Sequence, residues 1–304
     1  MIVCMGLWQT AWGLALAALV QLEGAPPPRP LMEGSSRAAY AIPSDGDTPI
    51  LQFQTSTGDP VRLLIDTGAS RSMVSQALIA RLQLTTQPLN GGNFALAGAG
   101  SDCPTDPPRQ AVLPPLQLGG LKIRELAVLV MPKLGVPPGT DGVLGASALR
   151  QLPMLIDPKQ QKVRFDQQLS IQSAPADALR LPLQWRDHVP LVQVFDQSRK
   201  STLALLDTGA EAVFVGVPLA QRLTPQSPPS GVEIQGFCGS EFAVERLFVG
   251  LSVGDITLQR SPAIVTRNRI LKDLNVEAII GQPMLKNRRQ LWLLNRPDPV
   301  LLLW

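Results

Sequence analysis

The feature that most constrains the fold of this chain is an internal repeat. Residues 48–69, TPILQFQTSTGDPVRLLIDTGA, align without a gap on residues 189–210, VPLVQVFDQSRKSTLALLDTGA, 141 positions later. Later features keep their order in both halves, and the matching segments are 95–101 with 233–240, 113–123 with 248–258, and 140–149 with 276–285. We therefore expect two similar units that pack against each other.

Each half has the pattern of a mostly β unit. Alternating apolar residues in 50–53 and 63–65 predict short strands, and 25 glycines with 29 prolines predict many turns. The stretch SQALIARLQL predicts a helix with Leu78, Ile79 and Leu82 on one face. The stretches ASALRQL and QPMLKNR predict a further short helix in each half.

The repeat also fixes the predicted domain boundaries. The N-terminal lobe spans 36–170 and the C-terminal lobe spans 183–304, with IQSAPADALRLP at 171–182 as the linker. Residues 1–35 are predicted to be a signal peptide or membrane anchor followed by a proline-rich linker.

Each copy of the repeat ends an apolar run with an acid, Asp66 in LLIDTGA and Asp207 in LALLDTGA. Burying a carboxylate away from water is energetically unfavourable. Two buried carboxylates in equivalent positions therefore indicate a function. If a pseudo-two-fold axis relates the lobes, the acids meet at that axis and share one proton. The ionised acid can then take a proton from water while the protonated acid donates to a carbonyl oxygen, which allows hydrolysis of an amide.

The residues that follow each acid suit such a site. Gly68 and Gly209 allow a sharp turn and a close approach of the backbone. The hydroxyls of Thr67 and Thr208 could connect the two loops. The alternative is that each Asp-Thr-Gly is an ordinary β-turn. Two copies in register inside a repeat favour the paired acids.

With two D-T-G-A motifs and the apolar-apolar-Gly segments 143–145 and 279–281, the sequence resembles the aspartic peptidases, and the retropepsin-like group more than the pepsins. The resemblance covers most of the chain from about residue 40 to the C-terminus. It implies a mostly β, bilobal acid-protease fold with two pseudo-two-fold-related β lobes and short helices. It also implies an aspartic endopeptidase with Asp66 and Asp207 as the catalytic pair, supported by Thr67, Gly68, Thr208 and Gly209.

The same resemblance implies that the glycine-rich hairpins are flaps over a peptide-binding cleft, although ordinary glycine turns remain an alternative. The implied substrate-binding residues are Ala69, Ser70, Ala210, Glu211, Gly98, Gly100, Gly236 and Gly239. Because Ser70 in one lobe corresponds to Glu211 in the other, we expect the two sides of the cleft to recognise peptide differently. The pepsins usually have Ser or Thr where this chain has Ala69 and Ala210, which predicts maximal activity at mildly acidic pH.

The remaining residues give little support to other chemistries. We expect no metal and no cofactor, because the chain has a single histidine, His188, which we assign to a surface or turn position. A net charge of +3 without a basic run argues against a nucleic-acid partner. Cys103 and Cys238 fall in or just after the hairpins and are either a disulfide that ties the flaps together or two free thiols.

The N-terminal segment 1–22 is apolar and is predicted to be a signal peptide or an uncleaved membrane anchor, or else a buried helix. We therefore expect an exported protein that is periplasmic, extracellular or anchored to a membrane. The short stretch between Leu22 and the first predicted strand leaves little room for a pro-segment.

Three functions remain open at the level of sequence. The first is a monomeric aspartic endopeptidase that acts on a peptide or protein substrate. The second is a catalytically silent peptide-binding protein with the same bilobal cleft. In the third, one lobe forms the active unit as a homodimer, which the long linker between the lobes makes less favourable.

Overall fold

The computed structural model describes residues 13–14, 20–21, 27–44, 46–89, 96–98, 100, 108–131, 136–258 and 260–304. Most of the predicted signal or anchor segment lies outside the described residues. Among the helices that are described, none has the length and apolar character needed to cross a bilayer.

The first half of the chain is built of short strands and two short helices. Its elements are β1 (Gly13–Leu14), β2 (Val20–Gln21), β3 (Leu31–Glu33), β4 (Ser36–Ala39), β5 (Ile50–Thr55), β6 (Pro60–Asp66), β7 (Met73–Ser75), α1 (Gln76–Arg81), β8 (Gln87–Pro88), β9 (Leu96–Ala97), β10 (Arg109–Val112), β11 (Leu116–Leu118), β12 (Leu121–Arg124), β13 (Ala127–Met131), β14 (Gly142–Gly145), α2 (Ala146–Leu149), β15 (Met154–Asp157) and β16 (Lys162–Phe165).

The second half follows a 3₁₀ turn at Ile171–Ser173 and has the same character. Its elements are β17 (Leu179–Arg186), β18 (Val189–Phe195), β19 (Ser201–Leu206), β20 (Val213–Gly216), α3 (Val217–Ala220), β21 (Thr224–Pro225), β22 (Ser230–Gly236), β23 (Gly239–Val249), β24 (Leu251–Val253), β25 (Ile256–Leu258), β26 (Ser261–Thr266), α4 (Arg269–Asp273), β27 (Ala278–Ile280), α5 (Gln282–Leu285), β28 (Gln290–Leu293) and β29 (Val300–Leu303).

The two halves share the same central pairing, which confirms the mostly β, bilobal fold. In the first lobe, β14 runs parallel to β6 and antiparallel to β7, and β13 runs parallel to β7. In the second lobe, β27 runs parallel to β19 and antiparallel to β20, and β26 runs parallel to β20. Equivalent strands of the sequence repeat therefore occupy equivalent places in the two sheets.

The local patterns account for these elements. Along β5, the residues alternate between buried and exposed positions after a buried start, as expected for a strand with one face on the core. The side chain of Ser75 caps α1 by accepting a hydrogen bond from the Leu78 N–H. The predicted apolar face of this helix is formed by buried Leu78 and Ile79, with Leu82 packed partly buried against the core.

A sheet shared by both halves holds the lobes together. Its strands pair antiparallel in the order β4, β16, β15, β28, β29, β17. Residues 179–182 belong to this sheet through their pairing with β29, so the predicted linker 171–182 is too long at its C-terminal end. The sequence assigned the apolar residues at 179 and 181 to the linker because their partner strand lies more than a hundred residues later.

Candidate active site

Asp66 and Asp207 lie at the same point of the two central sheets. Asp66 is the last residue of β6, and Asp207 directly follows β19. Both side chains are completely buried, as are the threonines that follow them. Strands packed on both sides carry each acid into the interior, where an isolated carboxylate would be unfavourable.

The two acidic loops are linked by a reciprocal set of hydrogen bonds. The Thr67 N–H donates to Thr208 Oγ1 and the Thr208 N–H donates to Thr67 Oγ1, both at 3.0 Å. Each hydroxyl in turn donates across the interface, from Thr67 to the Leu206 carbonyl and from Thr208 to the Ile65 carbonyl, at 2.8 Å. These four buried bonds hold the two loops in a fixed relation around the pseudo-two-fold axis.

Each glycine of the motif lies against the acid of the other lobe. A Cβ atom added at Gly68 would be 2.3 Å from Cγ of Asp207, and one added at Gly209 would be 2.7 Å from Cγ of Asp66. Such distances are far below a normal contact between non-bonded atoms. The lack of a side chain at these positions is therefore what allows the two carboxyl groups to approach each other.

Backbone donors and the second acid define the state of the carboxyl groups. The Ala69 N–H donates to Asp66 Oδ1 at 2.8 Å, and the Gly209 N–H donates to Asp207 Oδ1 at 2.7 Å. Burial, the negative charge of Asp207 and a side-chain hydrogen bond with Asp207 raise the pKa of Asp66 well above its usual value. The backbone hydrogen bonds act in the opposite direction but are the weaker causes. The arrangement favours a pair that holds one proton.

The loop after β14 supports the first acidic loop. The Ala146 N–H donates to the Ala69 carbonyl at 2.7 Å, and the Gly145 N–H donates to Ser72 Oγ at 3.0 Å. A Cβ atom at Gly145 would lie 2.5 Å from the carbonyl carbon of Arg71. The sequence showed this glycine as part of a motif but gave it no role at the site.

The loop after β27 supports the second acidic loop more strongly. The Gln282 N–H donates to the Ala210 carbonyl at 2.8 Å, and its side-chain Nε2 donates to the Thr208 carbonyl at 2.6 Å. Sequence reasoning assigned no role to Gln282. Gln282 directly follows the apolar-apolar-Gly segment 279–281, and this position could have indicated that it supports the acidic loop.

The structure corrects the predicted role of Glu211. Its carboxylate accepts hydrogen bonds from the backbone N–H groups of Asp47 and Thr48 in the other half of the molecule, at 2.8 to 2.9 Å. Burial is the main cause that raises the pKa of Glu211. The carboxylate is thus occupied by the protein itself, and the side chain joins the lobes instead of being directed at a peptide. The equivalent Ser70 is fully buried.

The other predicted substrate-binding residues fall into two groups. Ala69 and Ala210 are buried in the acidic loops, where their carbonyls accept from the supporting loops described above. Gly236 and Gly239 are paired opposite each other at the tip of the β22–β23 hairpin. Gly98 and Gly100 are buried, and the first of them directly follows β9. The substrate-binding role of these residues stays a prediction.

Gly100 and the tip of the β22–β23 hairpin contact each other, and both make contacts across the two lobes. A Cβ atom at Gly100 would lie 2.3 Å from the backbone of Cys238, and the Gly100 carbonyl accepts from Asn268 Nδ2 of the second lobe at 3.1 Å. In return Phe237, at the tip of the second hairpin, packs into an apolar cluster of the first lobe that includes Ala69. The tip of the β22–β23 hairpin thus lies beside the first acidic loop.

Two other residues singled out in the sequence have defined places. Cys238 is disulfide-bonded, and Cys103 lies outside the described residues. His188 is the second residue of the two-residue turn between β17 and β18, where it and Asp187 have positive φ angles of 65° and 46°. This agrees with the predicted turn position. Within the described ranges, no three His, Cys, Asp or Glu side chains are placed to hold a metal ion.

Comparisons with known proteins agree with this architecture. Residues 54–148 match the family model described as aspartyl protease. The structure is similar to an aspartic proteinase from Irpex lacteus, with 10% sequence identity, a TM-score of 0.51 and coverage of 88% of this chain and 97% of that chain. A basic 7S globulin from soybean gives 11% identity, a TM-score of 0.49 and coverage of 88% and 95%, respectively. A search of curated protein sequences gave no match.

These findings confirm the resemblance to the aspartic peptidases and the bilobal fold expected from it. The family match covers the first acidic loop and its supporting strand, and the structural match extends the same fold over the second lobe. The chain therefore has a protease-like fold with a buried acid from each lobe at its centre.

Proposed function

We propose that this chain is an aspartic-type endopeptidase that hydrolyses peptide bonds with a water molecule activated between Asp66 and Asp207. The observation that carries the proposal is the packing of Gly68 on Asp207 and of Gly209 on Asp66, which places two buried carboxyl groups side by side. The intact threonine bridge supports it, because it keeps the two acids in register.

The proposed reaction follows from one proton shared by two acids. The ionised carboxylate removes a proton from water, whose oxygen attacks the carbonyl carbon of the peptide bond, while the protonated carboxyl donates its proton to the carbonyl oxygen. The resulting tetrahedral intermediate collapses with cleavage of the C–N bond, and the amine leaves with a proton returned from the acid pair. Backbone donors from Ala69 and Gly209 orient the carboxyl groups throughout.

The raised pKa of Asp66 supports activity at mildly acidic pH. A carboxyl group whose pKa is raised keeps its proton to higher pH, so the singly protonated pair persists upward from the strongly acidic range. The alanines at 69 and 210 provide no hydroxyl that would oppose this shift. A pH–rate profile with its maximum below about pH 3 would contradict this assignment.

The test is hydrolysis of a diverse peptide library by the purified full chain at about pH 4 to 7. Asp207→Asn should abolish cleavage, and Asp177→Asn, at an exposed position, should leave it unchanged. Cleavage that persists in Asp207→Asn would contradict the mechanism. If a folded wild-type chain binds library peptides but cleaves none, the chain is instead a silent peptide-binding protein.

The expected partners and location rest on the sequence. We propose a monomer that acts on peptides or proteins after export, with residues 1–22 directing export or anchoring the chain in a membrane. Protease accessibility of a tagged full chain in intact and lysed cells would test this proposal. A tag found with the soluble cytoplasmic fraction would contradict it.

A further inference from the structure

The sequence repeat relates two turns, 46–48 in the first half and 187–189 in the second, by the same offset of 141 positions. The first turn is joined to the second lobe by paired charges. The Asp47 carboxylate forms an ion pair with Lys286 at 2.8 Å. The N–H groups of Asp47 and Thr48 donate to the Glu211 carboxylate. One cation and two acids, all with partners, therefore close this end of the site.

The matching residues around the second turn carry different charges. The repeat places His188 at the position of Asp47, Ser70 at the position of Glu211, and Arg150 at the position of Lys286. Arg150 directly follows α2, just as Lys286 directly follows α5. The second end of the site therefore keeps the cation of the first end but has neither of its two acids.

Further cations gather at this second end. Burial and the charge of Arg150 lower the pKa of His188, and Asp187 opposes this shift. The charges of Arg71 and Arg29 lower it further. Burial and the charge of Arg29 also lower the pKa of Arg150. Each of these cations is thus less stable in its charged form than it would be in water, and a bound anion would offset that cost.

Arg150 has an aromatic neighbour but no acidic one. Its guanidinium carbon lies 4.5 Å from the centroid of the Trp185 ring, which is a cation–π contact. The ion pairs among the described residues do not include Arg150. The Nε1 atom of Trp185 is buried and has no hydrogen-bond partner in the described part of the chain. Both side chains are half-buried, so they remain accessible to a ligand.

We define this group of side chains as the cationic end, which consists of Arg29, Arg71, Arg150, Trp185 and His188. We propose that the cationic end binds a carboxylate of the peptide substrate, with the Arg150 guanidinium as its main donor. The proposal rests on the proposed function, because the substrate is that of the proposed peptidase. A carboxylate is the expected ligand because the side chain of Glu211 supplies one at the matching end. A planar guanidinium also suits a carboxylate, to which it can donate two hydrogen bonds.

The cationic end lies within reach of a peptide at the acid pair. Arg71 belongs to the first acidic loop, and the five residues from Asp66 to Arg71 span at most about 18 Å. An extended peptide advances about 3.3 Å per residue. The carboxylate therefore belongs either to an acidic side chain within roughly five residues of the scissile bond or to a substrate C-terminus at that distance.

The test measures peptide binding to the full chain with Asp207→Asn, so that it does not depend on cleavage. The probes are fluorescein-labelled peptide pools that are randomised with uncharged residues and carry Glu or Gln at the central position. Each pool is made with a free C-terminus and with an amidated one. The amidated Glu pool should bind at least about tenfold more tightly than the amidated Gln pool. If only the free C-terminus gives this gain, the carboxylate bound is that of the chain end.

Two variants locate the preference at the cationic end. Arg150→Gln should reduce it to about twofold or less, because exposed charges alone contribute little. His188→Asp should also reduce it, because it places at this end the acid that Asp47 provides at the other. The matched control is Arg180→Gln, which removes an exposed arginine from β17, the strand of Trp185, and should keep the full preference. Thermal unfolding checks that each variant is folded, and His188→Asp decides the test if Arg150→Gln does not fold.

The outcomes separate this proposal from the proposed function. Equal binding of all four pools, or an equal loss of preference in Arg180→Gln, would overturn the carboxylate site. Preferential binding of a carboxylate without cleavage by the wild type would support the site and contradict the peptidase. Cleavage by the wild type without any such preference would do the reverse. A folded chain that neither binds nor cleaves any pool would contradict both.

Discussion

At the scale of single residues, the glycines after the two acids matter as much as the acids. Each lies so close to the opposite carboxyl group that no side chain fits between them. This explains why an apolar strand can end in a buried acid. The strand delivers the acid to an axis where a second acid, a shared proton and backbone donors replace the water that burial removes.

Gly68→Ala should therefore lower kcat/KM strongly. The new methyl group would overlap Cγ of Asp207 and displace it, and a displacement of about 1 Å can cost on the order of 100-fold in rate. The control is Gly231→Ala, where an added Cβ atom meets nothing within 4 Å. Steady-state kinetics on one cleaved peptide would check this. Equal activity of the two variants would show that the glycine does not set the spacing of the acids.

Asp66→Asn should stabilise the fold at neutral pH. Because the pKa of Asp66 is raised in the folded state, the folded chain retains a proton that the unfolded chain loses above about pH 3.9. The free energy of unfolding of the wild type therefore falls as the pH rises from there towards the folded-state pKa. Asparagine avoids this loss, so Tm should rise by about 2 °C or more at pH 7, and the gain should vanish near pH 3. The exposed Asp177→Asn should show neither effect.

At the residue scale, a position could be predicted where the same residue is repeated in register. Asp66, Thr67 and Gly68 have counterparts in the second copy, and their positions at the axis follow from symmetry alone. Glu211 could not be placed in this way. Its partners are backbone N–H groups at residues 47 and 48, more than 160 positions away, and backbone donors leave no signature in a sequence.

At the scale of elements, the hairpins act across the lobes. The tip of the β22–β23 hairpin inserts Phe237 into the core of the first lobe, whereas Phe242 on the same hairpin is 88% exposed. The glycines alone predicted turns in both segments, and the family resemblance implied that these turns lie near the cleft. Neither could predict that they contact each other, because that depends on the relative position of two separately folded sheets.

Phe237→Ala should destabilise the closed arrangement of the hairpins. Removing a buried phenylalanine typically costs about 3 to 5 kcal/mol, and the loss here falls on the contact between the hairpin and the first lobe. Phe242→Ala, in the same hairpin, should cost less than about 0.5 kcal/mol. Denaturant unfolding measures both, and a similar small loss in the two variants would contradict the assigned packing.

The disulfide of Cys238 should join the two hairpins. The chain contains three cysteines, so in a monomer the partner is Cys103 or Cys4. Gly100, three residues before Cys103, lies against the backbone of Cys238, and this favours Cys103. Non-reducing peptide mapping identifies the partner directly. A Cys4–Cys238 linkage would mean that the hairpins are not covalently tied to each other.

At the scale of the whole molecule, the sheet that joins the lobes has the same two-fold arrangement as the lobes. β4 pairs with β16 and β16 with β15 in the first half, and β17 pairs with β29 and β29 with β28 in the second half. β15 and β28 pair with each other across the two halves. The sequence repeat did not reveal this sheet, because its six strands lie outside the aligned segments. The same sheet holds the two lobes of one chain together. A site that takes Asp66 from one lobe and Asp207 from the other requires such a connection.

The central claim is that Asp66 and Asp207 of the same chain form one catalytic pair. The most direct test measures peptide hydrolysis by Asp66→Asn, by Asp207→Asn and by an equimolar mixture of the two after unfolding and refolding together, beside wild type. Each single variant should lose roughly 1,000-fold in kcat/KM, and the mixture should remain equally inactive. Activity in either single variant would contradict the paired mechanism, and activity restored in the mixture would show that the pair forms between chains.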